Sequence, residues 1–95
     1  MTAQQQYRAE PDDALIVRAL GDLTLIYHRP AGQTHLVISP VPEILAALRE
    51  AGGASAETLR ALLARAFDLG APQEAVPALS RQLEELSALG LVREA

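Results

Sequence analysis

The hydrophobic period of the chain changes near Ser39. From Leu15 to Ile38 apolar residues come in short runs broken by turn residues, whereas from Pro40 to Gly90 they recur at helical spacing. Leu15, Ile16, Val17 and Leu20 form the first run, Gly21-Asp22 supplies turn chemistry, and Leu23 to His28 forms the second. Arg29-Pro-Ala-Gly-Gln33 is another turn, in which Pro30 fixes one dihedral and Gly32 tolerates positive φ, and Thr34-His-Leu-Val-Ile38 follows it. The pattern predicts a meander of three short antiparallel strands.

Beyond it, Ser39 suits a helix N-cap and Pro40 a first helical position, with Ile44, Leu45 and Leu48 as the apolar stripe before Gly52-Gly53. A second helix starts at Ser55, carries Leu59, Leu62, Leu63, Ala66 and Phe67, and stops at Gly70. The third opens at Pro72 and places Val76, Leu79, Leu83 and Leu86 on one face, with Arg81, Glu84 and Glu85 on the other, until Gly90. Pro77 falls in its first turn or two, where a missing N–H costs little. Leu91-Val92 leaves room for a short terminal strand. The predicted class is therefore α+β, a three-stranded antiparallel sheet followed by three helices that cover one of its faces. Residues 1–13, rich in Gln and holding Glu10-Pro-Asp-Asp13, read as a flexible N-terminal arm; residues 14–95 read as one domain.

A chain of 95 residues without cysteine needs a core that holds without disulfides, and it suits a reducing compartment. No basic stretch leads into an apolar run near Met1, and no apolar run approaches the roughly 20 residues of a membrane span, so the expectation is a cytoplasmic protein with no membrane partner. The net charge is -4, and the basic residues are all arginines scattered from Arg8 to Arg93. Nucleic-acid binding draws on clustered cations, so this distribution argues against it.

Catalysis needs a nucleophile with a base, tuned carboxylates or a metal with several ligands. Two histidines are present, His28 and His35. A four-residue loop would bring them face to face across the second hairpin, and a five-residue loop would set His35 opposite Tyr27. Two ligands make a poor metal site, so no metal and no cofactor is expected. Glu84 and Glu85 are adjacent on a helix and point about 100° apart, which suits a solvated face and not an acid–base pair. Gly52-Gly53 lacks the strand before it and the Lys-Ser or Lys-Thr after it that a phosphate loop requires. The reading is non-enzymatic.

The functional bet falls on Thr34, His35, Leu36, Val37 and Ile38. This strand follows a tight turn and carries none of the Lys, Pro or inward charges that blunt an edge. An open edge accepts an extended peptide through backbone hydrogen bonds. The alternative is an edge covered by the N-terminal arm or by a second copy.

The run Tyr27-His-Arg-Pro-Ala-Gly-Gln-Thr-His-Leu-Val-Ile-Ser-Pro, with Ile44-Leu45 after it, resembles PqqD-like peptide chaperones, in the branch found with HPr-related kinase systems. The closing Leu83-Glu-Glu-Leu-Ser-Ala-Leu-Gly-Leu-Val is similar to that family's C-terminal pattern, and together the two stretches cover about residues 15 to 93. The resemblance implies a winged-helix-like element for recognising ribosomally made precursor peptides. The leader of the precursor would pair with Thr34 to Ile38, and Leu79, Gln82, Leu83 and Leu86 of the third helix would form the opposite wall, with Leu79 and Leu83 equally open to a purely core role. The implied partners are that leader peptide and a peptide-modifying or HPr-kinase-related enzyme, with a homodimer left open. Ser39 in place of the family's usual Asn, and the extra Pro42, put the start of the first helix in question. The competing classes are a winged-helix DNA-binding regulator, which the acidic third helix disfavours, and a structural subunit of a kinase-like protein.

Overall fold

A computed structural model describes residues 5–66 and 70–94. Its elements, in chain order, are β1 (Gln6–Ala9), a 3-10 turn (Asp12–Ala14), β2 (Leu15–Leu20), β3 (Leu23–His28), β4 (Gln33–Val37), α1 (Val41–Ala51), β5 (Ala54–Ser55), α2 (Ala56–Leu63), α3 (Pro72–Ala88) and β6 (Val92–Glu94). The predicted meander is present as a sheet of order β2-β3-β4, and the terminal strand is β6. The class is α+β, with three helices after the meander.

A second sheet, of order β5-β1-β6, was not expected. Part of the stretch read as a loose arm is its central strand. Tyr7 pairs with Ala54 on one side and Glu94 on the other, and Ala9 pairs with Val92. The physical reason is Tyr7 itself, which is only 2% exposed and belongs to the main core beside Leu48, Leu59 and Leu91. One aromatic ring buries enough apolar surface to anchor a short strand whose neighbours are polar. The strand approaches so closely that a Cβ on Gly53 would lie 3.3 Å from the Tyr7 carbonyl oxygen and 3.1 Å from Arg8 Cγ, and Gly53 also holds φ +119°. Just beyond β1, Glu10 accepts two bonds from the Arg93 guanidinium, at 2.8 and 3.2 Å, and its amide donates to the Leu91 carbonyl.

The helix ends follow local chemistry. Ser55 caps α2, its Oγ accepting from the Thr58 amide at 3.2 Å. Ser39 does not cap α1. Its hydroxyl donates to Glu43 Oε2 at 2.6 Å, while the Pro40 carbonyl accepts the first helical bond from Ile44, so the helix begins one residue later than expected. Regular α2 ends at Leu63, earlier than the pattern implied, although turn hydrogen bonds continue to Ala66; Phe67 lies outside the described residues. The end of α3 is a Schellman motif, with the Gly90 amide bonded to the Ser87 carbonyl and the Leu91 amide to the Leu86 carbonyl, and buried Leu91 folds back beside Leu86. Gly90 holds φ +82° there, and a Cβ on it would meet the His28 ring at 3.1 Å. This close contact ties the meander to the end of α3.

The Tyr7→Ala variant should lose about 3 kcal/mol of stability in urea denaturation, the cost of emptying a core aromatic site. A loose arm would give almost none. Burial, and then the charges of Glu94 and Glu84, hold the Tyr7 hydroxyl above its ordinary value of 10.0. The folded state therefore keeps this proton more tightly than the unfolded state. Stability from this source is complete below pH 10 and is lost as pH rises through the higher folded value, and Tyr7→Phe should remove that alkaline loss in a melting series.

Candidate functional site

The meander buries part of one face. Directly paired residues share a face, so Leu15, Val17 and Ala19 of β2, Thr24, Ile26 and His28 of β3, and Gln33, His35 and Val37 of β4 point toward the helices. Of these Leu15, Ile26 and His28 are buried, and half-buried Val37 packs on the same core. Thr34 and Leu36 point the other way, and Leu36 is 58% exposed. Ile38 lies one residue past β4 and is equally exposed. Sequence alternation alone could not decide which of these two sets faces inward, because both contain apolar residues.

Among the described residues β4 pairs with β3 alone, so its other side is an open edge. The N-terminal strand, one of the two candidates for covering it, pairs with β5 and β6 instead. Alternate residues of such an edge direct both backbone N–H and C=O away from the sheet.

Between the start of α1 and the flank of α3 lies a cavity of about 180 Å³, lined by Pro40, Ala75, Ala78, Leu79 and Gln82, with mostly apolar walls. Two of the four expected wall residues, Leu79 and Gln82, reach it. Leu79 is only 7% exposed, so it serves the core and the cavity floor together. Leu83 and Leu86 do not reach it; they are closed into the core, because residues four and seven positions on from Leu79 follow the stripe where α3 packs on α2 and β6. The residues missed were Pro40, Ala75 and Ala78. The small side chains of Ala75 and Ala78, beside the leucine stripe, were the available sign of a hollow.

His28 and His35 share the inner face but do not stand opposite each other. The loop has four residues, yet it is closed by His28 and Gln33, so His35 pairs with Ile26. His28 Nδ1 and His35 Nε2 are buried without a hydrogen-bond partner. Among the described residues no three His, Cys, Asp or Glu side chains gather in a metal-binding group, and no helix is long and apolar enough to cross a membrane. A wider, open depression of about 580 Å³ between α2 and α3 is lined by Glu57, Arg60, Pro72, Gln73, Val76 and Pro77, and its chemistry is that of an ordinary solvated helix pair.

No family model matches the chain, and neither does any curated protein or solved structure.

The two classes of expected site residue should separate in denaturation experiments. Leu83→Ala should cost about 2–5 kcal/mol, as for other closed core leucines, while Leu36→Ala should stay within about 0.5 kcal/mol.

Proposed function

We propose that this chain is a non-catalytic peptide-binding module, which adds an extended peptide to the open edge of β4 and seats one of its side chains in the cavity beside α3. The observation that carries this reading is that β4, whose outer edge is unpaired, ends at Val37, three residues before Pro40, which lines the apolar hollow. A strand edge supplies affinity through main-chain hydrogen bonds, and a pocket beside it supplies selectivity. At about 180 Å³ the hollow is comparable to engineered cavities of about 150 Å³ that take up benzene, so it suits one medium aliphatic or aromatic side chain. Gln82 at its rim offers an amide to a polar neighbour.

The resemblance to PqqD-like chaperones gives the peptide its identity in this proposal: the leader of a ribosomally made precursor, held for a cytoplasmic modifying or HPr-kinase-related enzyme. The chain performs no bond chemistry. Its contribution is to raise the concentration of the precursor near the enzyme, through two contacts in place of one. Of the expected residues, Thr34 to Ile38 contribute mainly backbone, since the side chains of Thr34 and Leu36 point away from α3. The acidic character of α3, where Arg81 stands among Glu74, Glu84 and Glu85, weighs against DNA as the ligand.

A peptide selected from a displayed random library should shift the amide resonances of Thr34 to Ile38 and of Ala78 to Gln82. N-methylation at alternate positions of that peptide should abolish binding. Ala78→Phe fills the hollow from an exposed helix position and should weaken binding at least about tenfold, or 1.4 kcal/mol, with unchanged circular dichroism. Resonance shifts confined to other surfaces would sink the assignment.

A further inference from the structure

The outer face of the meander is as apolar as its inner one. Its side chains form three rows across the strands: Ile16, Tyr27 and Thr34; Arg18, Leu25 and Leu36; and Leu20 with Leu23, extended by Ile38. All but Arg18 and Thr34 are apolar, and Ile16, Leu20, Leu23, Tyr27, Leu36 and Ile38 are exposed. Antiparallel sheets ordinarily leave one face polar, and strands apolar on both faces belong to sheets covered on both. Here the helices cover only the inner face.

We propose that this outer face is the contact surface of a homodimer, in which two copies stack their meanders face to face. The face is apolar and uncharged except at Arg18, so a second copy offers it a surface of the same chemistry, as an isologous contact requires. Arg18 lies exposed on β2, an edge strand, from which a long side chain can reach water at the margin of the contact. Two such faces pack about 10 Å apart as the halves of a sandwich. The six exposed side chains, each 37% to 58% exposed, together present roughly 500 Å² of apolar surface, near the upper end for a monomer. Two copies together bury about 1,000 Å², the lower limit of a specific interface, so the dimer forms reversibly with concentration. The stacked faces point away from α3, and each copy keeps its β4 edge and cavity free. The inference therefore stands independently of the peptide-binding reading.

Sedimentation equilibrium from about 10 μM to about 1 mM tests it, a range that brackets the Kd expected of so small an interface. The average mass should rise from that of the 10.1 kDa chain toward twice that value. Leu20→Lys combined with Leu23→Lys, both at exposed positions, should hold the mass at one chain throughout. Val17→Lys places the same charge at a residue 50% exposed on the opposite face, and it should dimerise as the unaltered chain does. A constant one-chain mass for the unaltered protein overturns the proposal and leaves the face to a different partner. So does a dimer that survives the Leu20 and Leu23 substitutions, which would point to pairing of strand edges. The concentration series on the unaltered chain keeps the test decisive even if a variant fails to fold.

Discussion

Burial of Ile26, with Leu15 and His28 beside it, is the contact on which the arrangement of the molecule rests. These are the residues of the meander that enter the core fully, and the His28 ring lies against the backbone of Gly90, where the absence of a side chain permits the approach. The sheet is therefore held by part of one face. Its β2 edge at Val17 and the hairpin tip at Leu20 and Leu23 are exposed. Three surfaces follow from this attachment: an open β4 edge, a hollow between the start of α1 and α3, and an uncovered apolar outer face.

The second sheet completes the body that holds the first. Its strands are short, and only Tyr7, Ala54, Ser55 and Val92 among them are buried. Isolated pairs of that length are marginal in water. They persist here because Tyr7 and Val92 are packed into the core formed by the helices, and because Arg93 and Glu10 clamp the chain where β1 ends. The same strand that was expected to hang free thus ties together residues far apart in sequence, and it is unavailable to cover β4.

Edge and hollow have complementary physical roles. Hydrogen bonds to a strand edge are nearly indifferent to peptide sequence, since every residue but proline offers the same donor and acceptor. A cavity large enough for one side chain adds discrimination by size and polarity. The outer face contributes exposed apolar side chains instead. Area of that kind favours a partner equally apolar and uncharged, which is the reason to expect a second copy there.

Much of the fold was legible in the sequence. The change of hydrophobic period at Ser39, the Gly21-Asp22 turn, the cap at Ser55 and the stop at Gly90 are local signals, set by backbone sterics and by hydrogen bonds over three or four residues. They located the meander, the helices and the edge position of β4. Tyr7 was not legible, because a single aromatic among polar residues gives no period, and its partners lie some 47 and 87 positions along the chain at Ala54 and Glu94. Nor could alternation decide which face of a doubly apolar strand turns inward, or how the leucines of α3 divide between core and cavity. Helical spacing places Leu79, Leu83 and Leu86 on one face equally. Only the packing of α3 against α2 and β6 buries the latter two and leaves Leu79 beside the hollow, since burial depends on what the rest of the chain brings near.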